Sequence, residues 1–239
     1  MMTGTPAAQS PLDAYGLAKL VNATAVPKFF GSFRDQVMYK VTRFKWAIKD
    51  TATDIVFNAL RPAIRFTKEE CLDLPEMVYT KRKVELTPQQ KKYYKELKSN
   101  MVMQVAGGDA LQFDIKNRYS VLMESIQEAR GKVLIFVPFR HAISLLSEKL
   151  SADGITNEVI QGSVTAANRT DAFRRFQTQQ DPRVLVIQPA AAAHGVTLTA
   201  ADTVVWRAPT SSLEIYSQAN ARVHRTGQVN KCTVVQLYG

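Results

Sequence analysis

From Lys132 to Tyr238 the sequence alternates between short, almost wholly apolar runs and longer stretches with helical spacing. That alternation constrains the fold more than any other feature. Lys132–Val137, Thr156–Ile160, Val184–Ile187, Thr203–Trp206 and Cys232–Tyr238 read as strands. The first and third are so continuously apolar that both of their faces must be covered. Arg140–Leu150, Ala166–Gln177 and a stretch opening near Leu213 read as the helices between them. Strands alternating with helices predict an α/β fold, a mostly parallel sheet with helices on both faces. Ligands of such sheets lie beyond the carboxyl ends of the strands, so function is expected in the loops after Val137, Ile160, Ile187 and Trp206.

The residues before this pattern read differently. Up to about Thr80 the chain shows helices and loops, with Leu12–Val21 the clearest helix and Pro27, Gly31 and Pro62 as punctuation; no strand is expected there. Beyond the basic run Lys81-Arg82-Lys83, Thr87-Pro88-Gln89-Gln90 has the residues of a capping box. It opens a helix carrying Lys91, Lys92, Lys95 and Lys98, which is either a solvated face or part of a polyanion surface. The division expected is a mainly helical segment over residues 1–80 and an α/β domain over 81–239.

A formal charge of +10 points to a polyanionic partner, nucleic acid being the commonest, or to a basic surface kept for solubility. Cys71 and Cys232 stand far apart without metal-ligand neighbours, which fits a reducing cytoplasm and supports neither a disulfide framework nor a zinc site. No apolar run approaches the roughly 18 residues that span a bilayer, so no membrane partner is expected.

The stretch richest in chemistry is Gln218-Ala-Asn-Ala-Arg222-Val-His-Arg225-Thr-Gly-Gln228. Ser211 with Glu214 suits the start of a helix and Gly227 its stop. On a helix, Gln218, Arg222 and Arg225 would share one face. Such a face either binds phosphate, which arginine holds bidentately while staying charged, or is an ordinary solvated surface.

This stretch resembles the sixth motif of the Swi/Snf-type motors, a branch of the superfamily-two helicases. Other blocks follow in that family's order. Gly195-Val-Thr197-Leu-Thr-Ala-Ala-Asp202 is similar to the fifth motif, and Gln161-Gly162-Ser163 with Arg169 and Phe176 to the block before it. Leu60-Arg61-Pro62, Thr67-Lys68 and Leu74-Pro75 are similar to the linker after the first motor lobe, and Thr3-Gly4-Thr5-Pro6 to the third motif.

The resemblance implies a RecA-like second lobe preceded by the tail of a first lobe, acting on double-stranded DNA. Arg222 and Arg225 would be arginine fingers reaching ATP, with Gln218 and Gly195 also at the nucleotide. Gly162, Ser163, Thr197 and Arg169 would lie along the DNA backbone, where glycine permits close approach and N–H and hydroxyl groups donate without reading bases. Ala191-Ala192-Ala193-His194 stands where the family carries paired glycines, Ala208 where it carries an aspartate, and Ser211-Ser212 where it carries tryptophan-asparagine. These departures imply a divergent member, of phage type rather than a standard chromatin remodeller. His194 is either a phosphate contact or a solvated loop histidine.

No Gly-x-x-x-x-Gly-Lys-Ser/Thr loop occurs in the 239 residues, and no apolar strand ends in an Asp-Glu pair. The first cradles phosphates and the second holds Mg²⁺ in such motors. ATP and Mg²⁺ are therefore expected to bind only when a first lobe completes the site in cis or in trans, as with a fragment, a truncated frame or one half of a split motor. The competing readings are a non-enzymatic basic module that binds nucleic acid or regulates a partner, and an unrelated α/β enzyme using His141, His194 or His224. The latter lacks a nucleophile or paired carboxylate in any recognisable pattern.

Overall fold

A computed structural model of the chain describes residues 6–7, 9–64, 66–92, 95, 116–193, 195–210 and 212–239. Ser10 caps a turn of 3₁₀ helix at Pro11–Asp13, its Oγ accepting from the Leu12 N–H at 3.0 Å while the Asp13 carboxylate accepts from the Ser10 N–H. Helices α1 (Ala14–Val21), α2 (Phe30–Val37) and α3 (Ala52–Ala59) follow. Their small apolar centre is Ala18, Val26, Phe33, Val37, Ala52 and Ala59.

Two features of this half correct the sequence reading. Strands β1 (Met38–Lys40) and β2 (Trp46–Ile48) pair antiparallel between α2 and α3, where only helices and loops were expected. At three residues each they are too short to show alternation. The second correction is strand β3 (Met77–Lys83), which includes the basic run Lys81-Arg82-Lys83. It lies at a sheet edge, where charged side chains are common and periodicity is weak. The short helix α4 (Lys68–Cys71) precedes it.

The chain divides into two compact units, Met1–Leu72 with Ser212–Glu214, and Asp73–Ser211 with Ile215–Gly239. A boundary at 80/81 falls inside β3, whose seven residues pair with those of the sheet strand nearest the carboxyl terminus.

In the second unit, Thr87 and Gln90 exchange the two bonds of a capping box at the head of a helical turn over 88–92. Lys98 and the Gly107-Gly108 break lie outside the described residues. Next come α5 (Lys116–Glu128), β4 (Lys132–Phe136), α6 (Arg140–Ala152), β5 (Asn157–Ile160), α7 (Ala166–Thr178) and β6 (Val184–Ile187). A 3₁₀ turn at Pro189–Ala193, β7 (Ala201–Trp206), α8 (Leu213–Asn220) and β8 (Cys232–Tyr238) complete the unit. The sheet runs β3-β8-β7-β4-β6-β5, with every neighbouring pair parallel.

Successive strand residues feed opposite layers, as the pleat dictates. Leu134, Phe136, Leu185, Ile187, Val204 and Trp206 pack under α7 and α8, whereas Val133, Ile135, Val184, Val186 and Val205 pack under α5 and α6. The fold is thus a RecA-like parallel sheet covered on both faces, preceded by a mainly helical segment. Among the described residues no helix is long and apolar enough to cross a membrane.

Candidate nucleotide and nucleic-acid interface

The chain turns at the carboxyl ends of β5 and β6 bring several candidate residues together. Gly162 and Ser163 follow β5 and are exposed. The Gly162 N–H donates to Oε1 of Gln188, the residue after β6, at 3.3 Å. A Cβ on Gly162 would sit 3.2 Å from Nη2 of Arg140, the first residue of α6, so the end of that exposed side chain lies against the Gly162 backbone. Three successive strand-end loops thus meet around an exposed backbone amide. Arg140 and Gln188 were not singled out from the sequence. Their signal was position alone, Gln188 directly after β6 and Arg140 at the head of the helix that follows β4. Arg169 is half-buried and donates through Nη2 to the Val164 carbonyl at 3.2 Å, which closes the 161–165 turn from beneath.

The second cluster joins the loop after β6 to the segment after α8. Leu198 N–H donates to the Arg222 carbonyl at 2.9 Å. Gln177 of α7 holds the same loop from the other side, donating to Thr199 Oγ1 at 2.9 Å and accepting from the Ala200 N–H at 3.1 Å. Buried Gln228 ties the ensemble together, its Nε2 lying 3.2, 2.8 and 3.2 Å from the carbonyls of Thr199, Ala201 and Val223. Gly195 and Thr197 stand exposed on this loop. His194, Ser211 and the third-motif residues Thr3-Gly4-Thr5 lie outside the described residues.

One expectation about this cluster needs correcting. Helix α8 ends at Asn220, so Gln218 is helical but Arg222 and Arg225 are not, and the helical-face reading of the three does not hold. The reason lies in Asn220, whose buried carboxamide accepts from Trp206 Nε1 at 3.0 Å and fixes the end of the helix to the sheet. Beyond it Arg222 and Val223 donate to carbonyls three residues back. Gly227, at φ 97°, then reverses the chain so that Gln228 can reach inward.

Arg225 is exposed and Arg222 half-buried. Burial lowers the pKa of the Arg222 guanidinium from its usual value, and the like charge of Arg225 lowers it further. An anion between or beside the two would relieve both effects. His224 faces the linker block, its Nε2 2.7 Å from the Pro75 carbonyl.

Two further groups serve the frame. Asp202 accepts from the Gly131 N–H at 2.6 Å and from Thr203 Oγ1 at 2.8 Å, and a Cβ on Gly131 would lie only 3.0 Å from that carboxylate. Gly131-Lys132 is therefore a close-packed entry to β4. Arg118 of α5 crosses the strand ends, its Nη1 donating to the Arg207 carbonyl at 2.6 Å.

Residues 117–227 match the family described as the helicase conserved C-terminal domain, and the parallel sheet with its strand-end loops is a helicase C-terminal lobe. The chain is 26% identical, over 99% of its length, to an uncharacterized ATP-dependent helicase of Mycoplasma genitalium. It is 25% identical, again over 99%, to the SWI/SNF-related matrix-associated actin-dependent regulator of chromatin subfamily A-like protein 1 of Xenopus tropicalis. It spans 25% and 27% of the length of these two relatives. Among solved structures, the C-terminal part of the Fun30 ATPase domain is similar, with a TM-score of 0.49 and 19% identity over 62% of this chain and 49% of that one. Residues 117–227 thus carry a helicase conserved C-terminal domain, and over its length the chain is similar to helicases of the SWI/SNF-related type.

Proposed function

We propose that the chain is the second lobe of an ATP-dependent translocase on double-stranded DNA, supplying arginine fingers and backbone contacts to a site completed by a first lobe. The observation that supports this reading is the tether from the Leu198 N–H to the Arg222 carbonyl, reinforced by Gln228, which joins the segment carrying Arg222 to the exposed loop bearing Gly195 and Thr197. Arginine stays protonated despite burial, so Arg222 and Arg225 can meet the charge that spreads over a phosphoryl group in transfer. Gln218 and Gly195 line the same approach to the nucleotide. Gly162, Ser163 and Thr197 present amides and hydroxyls to DNA phosphates, and Arg169 supports the turn from which two of them project.

ATP and Mg²⁺ would be held chiefly by the first lobe, since the 239 residues contain no phosphate-cradling loop of the Gly-x-x-x-x-Gly-Lys-Ser/Thr kind. The test is phosphate release with and without duplex DNA, by this chain alone and by the chain joined to a first lobe of the same type. The expected result is turnover only in the joined form, reduced by roughly 10³-fold or more in Arg225→Ala. DNA-stimulated turnover by the chain alone, or a joined motor indifferent to Arg225→Ala, would overturn the proposal.

A further inference from the structure

The hairpin of β1 and β2 has a composition that its fold does not require. Residues 38–49 carry Lys40, Arg43, Lys45 and Lys49 with no carboxylate, and interleave them with Tyr39, Phe44 and Trp46. Lys40, Arg43 and Lys45 are exposed. Phe44 at the tip is 88% exposed and Tyr39 51%, an arrangement that costs hydrophobic free energy unless something covers it.

The tip is also held in one shape. Val41 and Thr42 donate to the Lys45 carbonyl at 2.8 and 3.1 Å, and Thr42 Oγ1 accepts from the amides of Phe44 and Lys45 at 3.4 and 3.1 Å. Phe44 is thus projected from a bonded turn rather than a loose loop. At the base, the Arg34 guanidinium lies 4.0 Å over the Trp46 ring, and the Lys49 ammonium donates to the Asp35 carbonyl. These contacts fasten the hairpin to α2.

Exposed rings alternating with unpaired-sign charge fit a polyanion whose units carry flat apolar faces. A single-stranded nucleic acid has both, with phosphates for the cations and unstacked bases for the rings. A duplex hides its base faces, and an acidic peptide does not carry a flat face on every charged unit. We propose that the hairpin at residues 38–48 is a binding element for single-stranded nucleic acid, with Phe44 stacking on an unpaired base and Lys40, Arg43 and Lys45 holding the adjoining phosphates. This element lies in the first compact unit and does not depend on the arginine-finger reading.

The test uses the full 239-residue chain with a labelled oligothymidylate and a labelled duplex of equal length, followed by fluorescence anisotropy. Phe44→Ala is expected to weaken single-strand binding ~10-fold while leaving duplex binding within about twofold, and Phe44→Trp to restore it. Because Phe44 projects into solvent, thermal unfolding of Phe44→Ala should match the parent. No measurable single-strand binding by the parent would overturn the proposal. So would unchanged binding in Phe44→Ala, or an equal loss on both probes, as when the ring is covered by protein instead.

Discussion

The two compact units bury their apolar side chains in very different measure. In the sheet unit, Leu134, Ile135, Phe136, Leu185, Val186 and Ile187 are all 0% exposed, and two full layers of helix close over them. Among the described residues of the first unit, a handful of side chains around Phe33 and Val37 reach that state. Leu20, Phe29, Phe44, Phe57, Ile64 and Phe66, each more than 60% exposed, belong to this smaller part, against Phe139 and Val229 in the sheet unit. The difference follows from architecture. A parallel sheet presents two faces and buries both, whereas three eight-residue helices and a short hairpin enclose one small centre. The sheet unit should therefore hold itself together, while the first unit draws less stability from its own packing.

Three measurements would break or sharpen that contrast. The largest effect is expected from Trp206→Ala. Its ring stacks on Phe136 at 4.5 Å and tilts against Tyr216 at 4.9 Å, and its N–H donates to Asn220 Oδ1. The cavity created and the bond lost should together cost the sheet unit ~3–5 kcal/mol in urea unfolding followed by circular dichroism. A loss under about 1 kcal/mol would mean that the layer under α7 and α8 is loosely packed after all.

A smaller effect, ~2–3 kcal/mol, is expected from Phe33→Ala, since a half-open core relaxes around a deletion more easily. Hydrogen exchange should show faster opening in residues 9–64 and unchanged protection in β4, β6 and β7. Loosening of those strands as well would show that the two units unfold as one.

The smallest effect concerns the two thiols. Cys71 is exposed and Cys232 buried, and burial, followed by the negative charge of Asp202, raises the Cys232 pKa to about 11. An unfolded thiol titrates at about 8.5, so the folded form retains its proton longer. The stability this contributes is present below about pH 8.5 and fades as pH rises toward about 11, because the unfolded chain then releases a proton that the folded one keeps. Relative to Cys232→Val, the parent should lose on the order of 2 kcal/mol between pH 8 and pH 11. Cys71→Val keeps the buried thiol and should lose as much as the parent; disappearance of the loss in that variant would assign the effect to the wrong half of the chain.

How much of this was legible beforehand follows the same division. Val184–Ile187 and Cys232–Tyr238 were read at their observed bounds, because burial on both faces forces an unbroken apolar run. Arg140 and Ala166 were read as helix starts from the helical spacing of the residues that follow them. The hairpin escaped because three residues cannot display a period. β3 escaped because Lys81, Arg82 and Lys83 satisfy an edge, where Arg82 pairs with Glu128 of α5.

At the site, the stretch resembling the fifth motif and the one resembling the sixth meet through the backbone bond from Leu198 to Arg222. What failed was the assumption that helical spacing brings Arg222 and Arg225 together. Asn220 is already spent on Trp206, and no local pattern reveals a bond to a strand 14 residues upstream. Arg140 and Gln188 become visible only once three strand ends are laid side by side.

The place of β3 in the sheet has a bearing on how the protein comes to be folded at all. Met77 pairs with Cys232 and Lys83 with Tyr238, so partners about 155 residues apart must find each other. Because β8 lies between β3 and β7, the early strand has no seat until the late one has docked. On the ribosome, β4 through β7 can associate as they emerge, while residues 77–83 wait with a bare edge. Their three consecutive cations suit that interval, since like charges on a waiting strand discourage it from pairing with the nascent chain next door.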